Sequence, residues 1–138
     1  MRSCFDTSAF AKRFIFEDGS QKIDELCRKT TAIGPSIICA PELFSALNRR
    51  LRDGKLVHSD YISIKETIAR ELRQAVIITL TNSVISKTIQ LLEHHALKAL
   101  DSIHIACAVE WKADLYITAD RRQVEAAQKT GLDIIIIP

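Results

Sequence analysis

Acidic residues placed where predicted strands end are the side chains in this sequence best suited to chemistry. Asp6 and Asp120 each follow a short apolar segment, and Glu42 falls in the first turn of a helix beyond another such segment. In open parallel sheets, functional groups gather beyond the C-terminal ends of the strands. Because the chain contains 17 acidic residues, and carboxylates also cap helices, position by itself leaves coincidence open as an alternative.

A fourth carboxylate, that of Asp101, lies inside the apolar helical segment 97–108. At about 3.6 residues per turn this segment has almost no wholly polar face, so we expect a helix packed on several sides. An unpaired carboxylate is costly to bury. Asp101 therefore either has a hydrogen-bond donor, as structural aspartates usually do, or joins other carboxylates around a cation. The segment alone slightly favours the structural alternative.

Short apolar strands alternate with helices along the chain. The predicted strands cover residues 2–5, 33–39, 76–80, 115–118 and 134–137. The predicted helices cover residues 7–16, 23–27, 41–53, 59–72, 82–95, 97–108 and 121–130. This alternation predicts an α/β fold with a mainly parallel sheet covered by helices on both faces. Because no linker or repeat divides the 138 residues, we expect a single domain over residues 1–138.

The composition is that of a compact soluble protein, with 47% hydrophobic and 26% charged residues. The net charge of +2 permits a polyanionic partner without requiring one. The N-terminus lacks the apolar core of a signal peptide, and no apolar run approaches the roughly 20 residues of a membrane span, so we expect a cytoplasmic protein. The four cysteines lie singly in apolar segments and are predicted to be buried, reduced thiols.

Four motifs in this chain are similar to those of one known family. They are Phe-Asp-Thr-Ser-Ala at 5–9 followed by Lys12, Pro-Glu-Leu at 41–43, the segment 97–108 around Asp101, and Thr-Ala-Asp-Arg-Arg at 118–122. In motif order, spacing and chain length, the sequence resembles the PIN domains, and among them the VapC-type toxins of toxin–antitoxin pairs. The resemblance implies a PIN-like three-layer sandwich.

The same resemblance implies a metal-dependent endoribonuclease. Its catalytic and metal-binding residues would be Asp6, Glu42, Asp101 and Asp120. Physical chemistry supports this independently, because carboxylates brought together repel one another unless they bind a hard divalent cation such as Mg²⁺ or Mn²⁺. Such an ion activates a water and stabilises charge on an RNA phosphate. Thr7, Ser8 and Thr118 have hydroxyls placed to orient carboxylates or water, although helix capping and turn formation explain them equally well.

Partners follow from the resemblance as well. VapC-like toxins are typically homodimers, inhibited by a small antitoxin whose C-terminal segment occupies a groove near the early helices. Phe10, Phe14 and Phe16 offer an apolar groove, with core packing as the alternative for at least two of them. RNA is expected to meet basic side chains, for which a solvated helix face is the alternative. The candidates are Lys12, Arg49, Arg50, Arg52 and Arg121.

Other enzyme classes lack their characteristic residues here. No Ser lies in a G-x-S-x-G turn and no glycine-rich phosphate loop is present, which argues against acyl transfer and against Rossmann or P-loop nucleotide binding. A haloacid-dehalogenase-like phosphatase would have a second Asp where this chain has Ser8. The remaining alternative is a PIN-like RNA-binding or scaffold module without cleavage activity, and the complete set of four acids argues against it.

Overall fold

The computed structural model describes all 138 residues. Four parallel strands form one sheet in the order β2-β1-β3-β4. The strands are β1 (Arg2–Phe5), β2 (Ala32–Ile33), β3 (Leu115–Thr118) and β4 (Asp133–Ile136). The helices are α1 (Thr7–Phe10), α2 (Ser20–Lys29), α3 (Cys39–Arg52), α4 (His58–Gln74), α5 (Asn82–His94), α6 (Ala99–Glu110) and α7 (Val124–Lys129). None of these helices combines the length and the apolar character needed to span a membrane.

Helices cover both faces of the sheet, because successive side chains of a strand point to opposite sides. Phe5 of β1 and Ile117 of β3 are buried with residues of α1 to α4. Cys4 of β1 and Tyr116 of β3 are buried with residues of α5 to α7. Burying a side chain such as Phe or Ile stabilises the fold by roughly 1.5–3 kcal/mol. The sheet therefore lies between two helical layers, which confirms the predicted α/β three-layer sandwich with a parallel sheet.

Helix α6 is the most thoroughly buried helix of the fold. Ile105, Ala106, Cys107 and Ala108 have no exposed surface, and Ser102 and His104 are also buried. The small side chains allow close packing against the sheet and against α5. This confirms the prediction of a helix packed on several sides, and it leaves the first turn of α6, with Asp101, at the edge of the sheet.

The predicted strand over 76–80 is wrong. Its residues run beside the chain after β2, where Val76 N donates to the Ile33 carbonyl and Ile78 N donates to the Pro35 carbonyl. Only one bridge forms, and the segment does not join the four-stranded sheet. Pro35 explains this, because it has no N–H with which to continue a ladder.

Two other predicted elements are shorter in the structure. The strand predicted over 33–39 ends before Gly34, which packs so closely on the Trp111 ring that a Cβ there would lie 2.3 Å from a ring atom. The helix predicted over 7–16 consists of α1 and a 3-10 turn over Ala11–Arg13. Both differences shorten elements without changing their order.

The three phenylalanines of the predicted groove have different environments. Phe10 is fully buried, and Phe14 packs edge-on against it with ring centroids 5.1 Å apart. Phe16 is 91% exposed. Core packing is therefore confirmed for two of the three, and only Phe16 presents its ring to a partner.

The strand order creates a switch point between β1 and β3. The next strand in the chain, β2, pairs with one edge of β1, and β3, which follows later, pairs with the other edge. Crevices form beyond the carboxyl ends of strands at such a point. The residues that directly follow β1 and β3 are therefore positioned to share one site.

Candidate active site

The four predicted acids meet at this switch point. Asp6 follows β1, Asp120 follows β3, and Glu42 and Asp101 lie in the first turns of α3 and α6. All four line one cavity of about 270 Å³ whose wall contains no hydrophobic residue. The structure thus brings together the side chains that the sequence indicated, while their catalytic role stays a prediction.

Asp6 is almost completely buried, with 1% of its surface exposed. Its carboxylate caps α1 by accepting a hydrogen bond from Ala9 N at 3.0 Å. The hydroxyls of Ser8 and Thr118 each donate to it at 2.8 Å, and the amide of Gln123 donates at 3.0 Å. Burial raises the pKa of Asp6 above its ordinary value, although the hydrogen bonds from Ala9, Ser8 and Thr118 act to lower it.

The backbone holds the two hydroxyls in the orientation that donates to Asp6. Ser8 Oγ accepts a hydrogen bond from Ala119 N at 3.0 Å, and Thr118 Oγ1 accepts one from Asp120 N at 2.9 Å. An ionised carboxylate only accepts, so the hydrogen of each hydroxyl is directed at Asp6. The orienting contacts predicted for these hydroxyls are therefore present.

Glu42 is held by side chains from two other elements. Thr7 Oγ1 donates to Glu42 Oε1 at 2.6 Å, and His104 Nε2 donates to the same oxygen at 2.5 Å. The other ring nitrogen of His104 lies 3.1 Å from Ser36 Oγ, and the imidazole is buried. Burial acts to raise the pKa of Glu42, but the hydrogen bonds from His104 and Thr7 outweigh it, so that the pKa is lowered.

Asp101 is half-buried and accepts a hydrogen bond from Gln123 Nε2 at 3.1 Å. Gln123 lies in a 3-10 turn, Arg121–Gln123, which together with α7 replaces the single helix predicted over 121–130. Burial raises the pKa of Asp101, and the negative charge of Asp120 raises it further. The contribution of Asp120 to this pKa indicates that the two carboxylates lie near each other.

Asp120 is paired with a guanidinium from its own turn. Its two carboxylate oxygens accept from Arg122 Nε at 3.0 Å and from Arg122 Nη2 at 2.9 Å, a bidentate pair. The hydrogen bond from Arg122 lowers the pKa of Asp120, and the carboxylate raises the pKa of Arg122. The Arg122 side chain is 67% exposed, so this pair lies at the mouth of the site.

The donor set of the cavity suits a hard divalent cation. Carboxylate and hydroxyl oxygens dominate its wall, and the only guanidinium is that of Arg122. Burial, followed by the negative charge of Asp120, raises the pKa of Asp101 in this cavity. No group of three or more acidic, histidine or cysteine side chains is arranged here to hold a metal ion. Each acid is instead hydrogen-bonded to a protein donor. The chemistry of the residues fits Mg²⁺ or Mn²⁺, while their present contacts are with the protein itself.

Lys12, predicted to contact RNA, does not line the cavity. Its ammonium donates to Glu17 Oε1 at 3.2 Å and to the Asp18 carbonyl at 2.8 Å. Only 11% of the Lys12 side chain is exposed. The charge of Lys12 is therefore already paired within the loop that follows α1, and its contact with RNA stays a prediction.

The other predicted RNA-binding residues lie in two places. Arg121 is exposed directly after Asp120, at the mouth of the site. The remaining three lie on α3, about 10 to 15 Å along the helix axis from Glu42 at 1.5 Å per residue. They are Arg49, Arg52, and Arg50, which pairs with Glu17 at 3.6 Å.

Three polar residues of the site were missed by the sequence reasoning. His104, Arg122 and Gln123 all line the cavity. Spacing offered a clue for His104, because it follows Asp101 by one helical turn and so shares its side of α6. A buried histidine in an apolar helix has the same appearance when it only packs, so its carboxylate partner could not be identified from the sequence.

The fold recurs in solved structures of toxin–antitoxin proteins. Mycobacterium tuberculosis VapC20, a toxin that cleaves the sarcin–ricin loop, matches with a TM-score of 0.68 and 16% identity, over 90% of this chain and 94% of its own. VapBC2 from Rickettsia felis, bound to promoter DNA, matches with a TM-score of 0.70 and 14% identity over 100% of both chains. VapBC-5 from Mycobacterium tuberculosis, a VapBC-family toxin–antitoxin system, matches with a TM-score of 0.67 and 16% identity over 98% of both chains. At these identities the likeness concerns the fold.

Comparison by sequence gives two further results. No curated protein matches the chain. The PIN domain family model matches residues 3–129, a span that includes all four acids of the cavity. With the parallel three-layer fold and the acids at its switch point, this match makes the chain a member of the PIN-domain family.

Proposed function

We propose that this protein is a divalent-metal-dependent endoribonuclease and the toxin of a toxin–antitoxin pair, acting in the cytoplasm. One observation carries the proposal. Four acids from distant parts of the chain line a single polar cavity at the switch point of a PIN-fold sheet. None of the free cysteines lines this cavity, so the site offers no thiol nucleophile in place of an activated water.

In this proposal the carboxylates hold Mg²⁺ or Mn²⁺. The ligands would be Asp6, Glu42, Asp101 and Asp120. When bound, such an ion lowers the pKa of a coordinated water and neutralises charge on the phosphate. Asp6 and Glu42 are already oriented by hydroxyl, amide and imidazole donors. Asp120 has to release the guanidinium of Arg122, which then becomes available for an RNA phosphate.

RNA would approach the cavity from its exposed side. Arg121 and Arg122 are exposed there, and Lys98 lines a neighbouring cavity together with Asp101 and Arg122. Guanidinium and ammonium groups in this position suit phosphates that flank the cleaved bond. We also propose the α3 arginines for contacts with more distant nucleotides. These are Arg49, Arg50 and Arg52.

An antitoxin is the proposed inhibitory partner. The Rickettsia felis and Mycobacterium tuberculosis structures named above are of VapBC toxin–antitoxin proteins. On this chain, the 91% exposed ring of Phe16 follows α1, close in sequence to Asp6. An apolar side chain of the antitoxin would be expected to cover that ring.

A homodimer is the proposed assembly. Helix α5 exposes Ile85, Ile89 and Leu92 by 41%, 52% and 39%, and their spacing of about one turn aligns them in one stripe. An exposed apolar stripe on a helix is typical of an interface. A second copy of the chain would bury it against its own α5.

A non-catalytic RNA-binding or scaffold module is the alternative. One observation favours it, since every carboxylate of the cavity already has a protein donor. Such a module would bind RNA equally well with and without divalent ions.

Cleavage of RNA under controlled metal content tests the proposal. After EDTA treatment and dialysis the protein should not cleave single-stranded or loop RNA, and Mg²⁺ or Mn²⁺ should restore cleavage. Asp6→Asn should lower the metal-restored rate by about 100-fold or more, because a ligand carboxylate is lost. Asp60→Asn, at an exposed position on α4, serves as the matched control and should cleave like the parent.

Two results would separate the candidate functions. Full cleavage after rigorous metal removal, with Asp6→Asn still active, contradicts the metal-dependent mechanism. RNA binding without cleavage at any metal concentration supports the scaffold alternative.

A further inference from the structure

Gln123 is the only side chain that donates to two of the four carboxylates. Its Nε2 lies 3.0 Å from Asp6 Oδ2 and 3.1 Å from Asp101 Oδ1. An amide nitrogen carries two hydrogens, so both are used, one on each carboxylate. Gln123 is 1% exposed, so bulk water competes little for these hydrogens.

A buried tyrosine sets the orientation of this amide. The hydroxyl of Tyr116 donates to Gln123 Oε1 at 2.5 Å, and Tyr116 has no exposed surface. Ionised carboxylates only accept, so the amide nitrogen must face Asp6 and Asp101 and the oxygen must face the tyrosine. The chain of contacts Tyr116–Gln123–carboxylates therefore permits one orientation of the amide.

This arrangement addresses the main electrostatic problem of the site. Asp6 and Asp101 come from β1 and α6, and they carry like charges that oppose close approach. A single donor that hydrogen-bonds both lowers the cost of bringing them together and fixes the distance between them. Because the amide is neutral, it does this without cancelling the negative charge that a cation needs.

We propose that Gln123 is a positioning residue that holds Asp6 and Asp101 in register for a divalent cation, with Tyr116 fixing its orientation. This rests on the proposed metal-dependent function. Partners of this kind typically change metal affinity by about 10- to 100-fold when they are removed.

The test measures binding of Mn²⁺ alone to the full-length protein, without RNA. Free Mn²⁺ is followed by electron paramagnetic resonance, and the variants are Gln123→Met and the double variant Tyr116→Phe with Gln123→Met. The double variant leaves no buried hydroxyl without a partner, so it guards against simple misfolding. Gln128→Met, at an exposed position on α7, is the matched control. Thermal melts of the metal-free proteins show which variants are folded at the temperature of the titration.

We expect both Gln123 variants to bind Mn²⁺ about 10- to 100-fold more weakly than the parent, with the control unchanged. A merely structural glutamine would lower the melting temperature and leave the Kd of the folded protein unchanged, which overturns the proposal. Tighter binding by the variants also overturns it, because the amide would then compete with the cation. If the parent itself binds no Mn²⁺, the proposed function fails first. If the parent binds and the variants match it, only the role of Gln123 fails.

Discussion

The two sides of the cavity hold their acids by different means. On the β1 side, Asp6 and Glu42 are fixed by uncharged donors that come from several elements, of which Thr118 and Gln123 are buried. On the β3 side, Asp120 is paired with the exposed guanidinium of Arg122, only two residues away. Asp101, which we count with the β3 side, is held by one amide hydrogen bond from Gln123. The β1 side is therefore built into the core, and the β3 side is a local arrangement at the surface.

This difference indicates which side adjusts when a ligand binds. Moving Asp6 would break several buried hydrogen bonds, and moving Glu42 would break two partly buried ones, each with a net contribution of about 1 kcal/mol. Moving Arg122 would break one solvent-facing pair, and such pairs contribute little. The β1 side is thus a preformed part of the site, and rearrangement on binding falls to the β3 side. Four variants test this contrast.

His104→Ala should have the largest effect on stability. The imidazole is buried, and its loss creates a cavity, removes one of the two donors of Glu42 and leaves the Ser36 hydroxyl without its partner. We expect a loss of about 2–4 kcal/mol in the free energy of unfolding, measured by urea melts. RNA cleavage at a temperature where the variant is folded should also fall, because Glu42 is no longer oriented.

His94→Ala is the matched control for this prediction. That ring is exposed, and its only hydrogen bond is to the Gln90 carbonyl of its own helix. The free energy of unfolding of this control should lie within about 0.5 kcal/mol of that of the parent. Similar small changes in both variants would mean that the β1 side is not built into the core.

The positions of the acids could be predicted because strand ends are visible in the sequence. A short apolar run followed by Asp6 or Asp120 marks the carboxyl edge of a parallel sheet, and these edges converge wherever the strands pair. The three-layer fold followed from the same alternation. Asp101 was ambiguous from its own segment, and the structure gives it both a donor and acidic neighbours.

The partners of the acids depended on packing that no local pattern reveals. Glu42 meets His104 where α3 and α6 come together at the sheet edge, and Gln123 contacts Asp6 and Asp101 from a 3-10 turn before α7. The segment 76–80 was predicted as a strand from its apolar residues. Whether it joined the sheet was decided by Pro35, which lies on the neighbouring segment and cannot donate.

Asp101→Asn should have an intermediate effect, with a defined dependence on pH. The folded-state pKa of Asp101 is raised, first by burial and then by Asp120. Its ionisation therefore destabilises the metal-free fold as the pH rises from the ordinary Asp value, about 3.9, through the raised value. Asn can still accept the hydrogen bond from Gln123. We expect the metal-free variant to be as stable as the parent near pH 4. At pH 7 it should be more stable, by about 1 kcal/mol or less after solvent screening.

Asp120→Asn, on the same side of the cavity, should change the stability of the fold in the opposite direction. Hydrogen bonding from Arg122 lowers the pKa of Asp120, so its ionised form stabilises the fold above the ordinary pKa, and that contribution is lost as the pH falls. Urea melts without metal from pH 4 to pH 7 should show the two variants diverging from the parent in opposite directions. A loss of about 2 kcal/mol or more in Asp101→Asn would instead mean that its carboxylate satisfies a buried donor.

Arg122→Gln should have the smallest effect, and it tests the β3 side directly. The guanidinium occupies both oxygens of Asp120, so a divalent cation that uses this carboxylate must displace it. Removing it should tighten Mn²⁺ binding by about two- to fivefold, since an exposed pair is a weak competitor. If the released guanidinium then binds a phosphate, the same variant should also lower the salt dependence of RNA binding by the equivalent of about one phosphate contact.

Arg49→Gln is the matched control for this prediction. Arg49 lies on α3 away from the cavity, so its substitution should leave Mn²⁺ affinity unchanged. It lowers the salt dependence of RNA binding only if α3 also contacts RNA. Unchanged Mn²⁺ affinity in Arg122→Gln would mean that Asp120 does not contribute to the metal site, and the β3 side would then supply Asp101 alone.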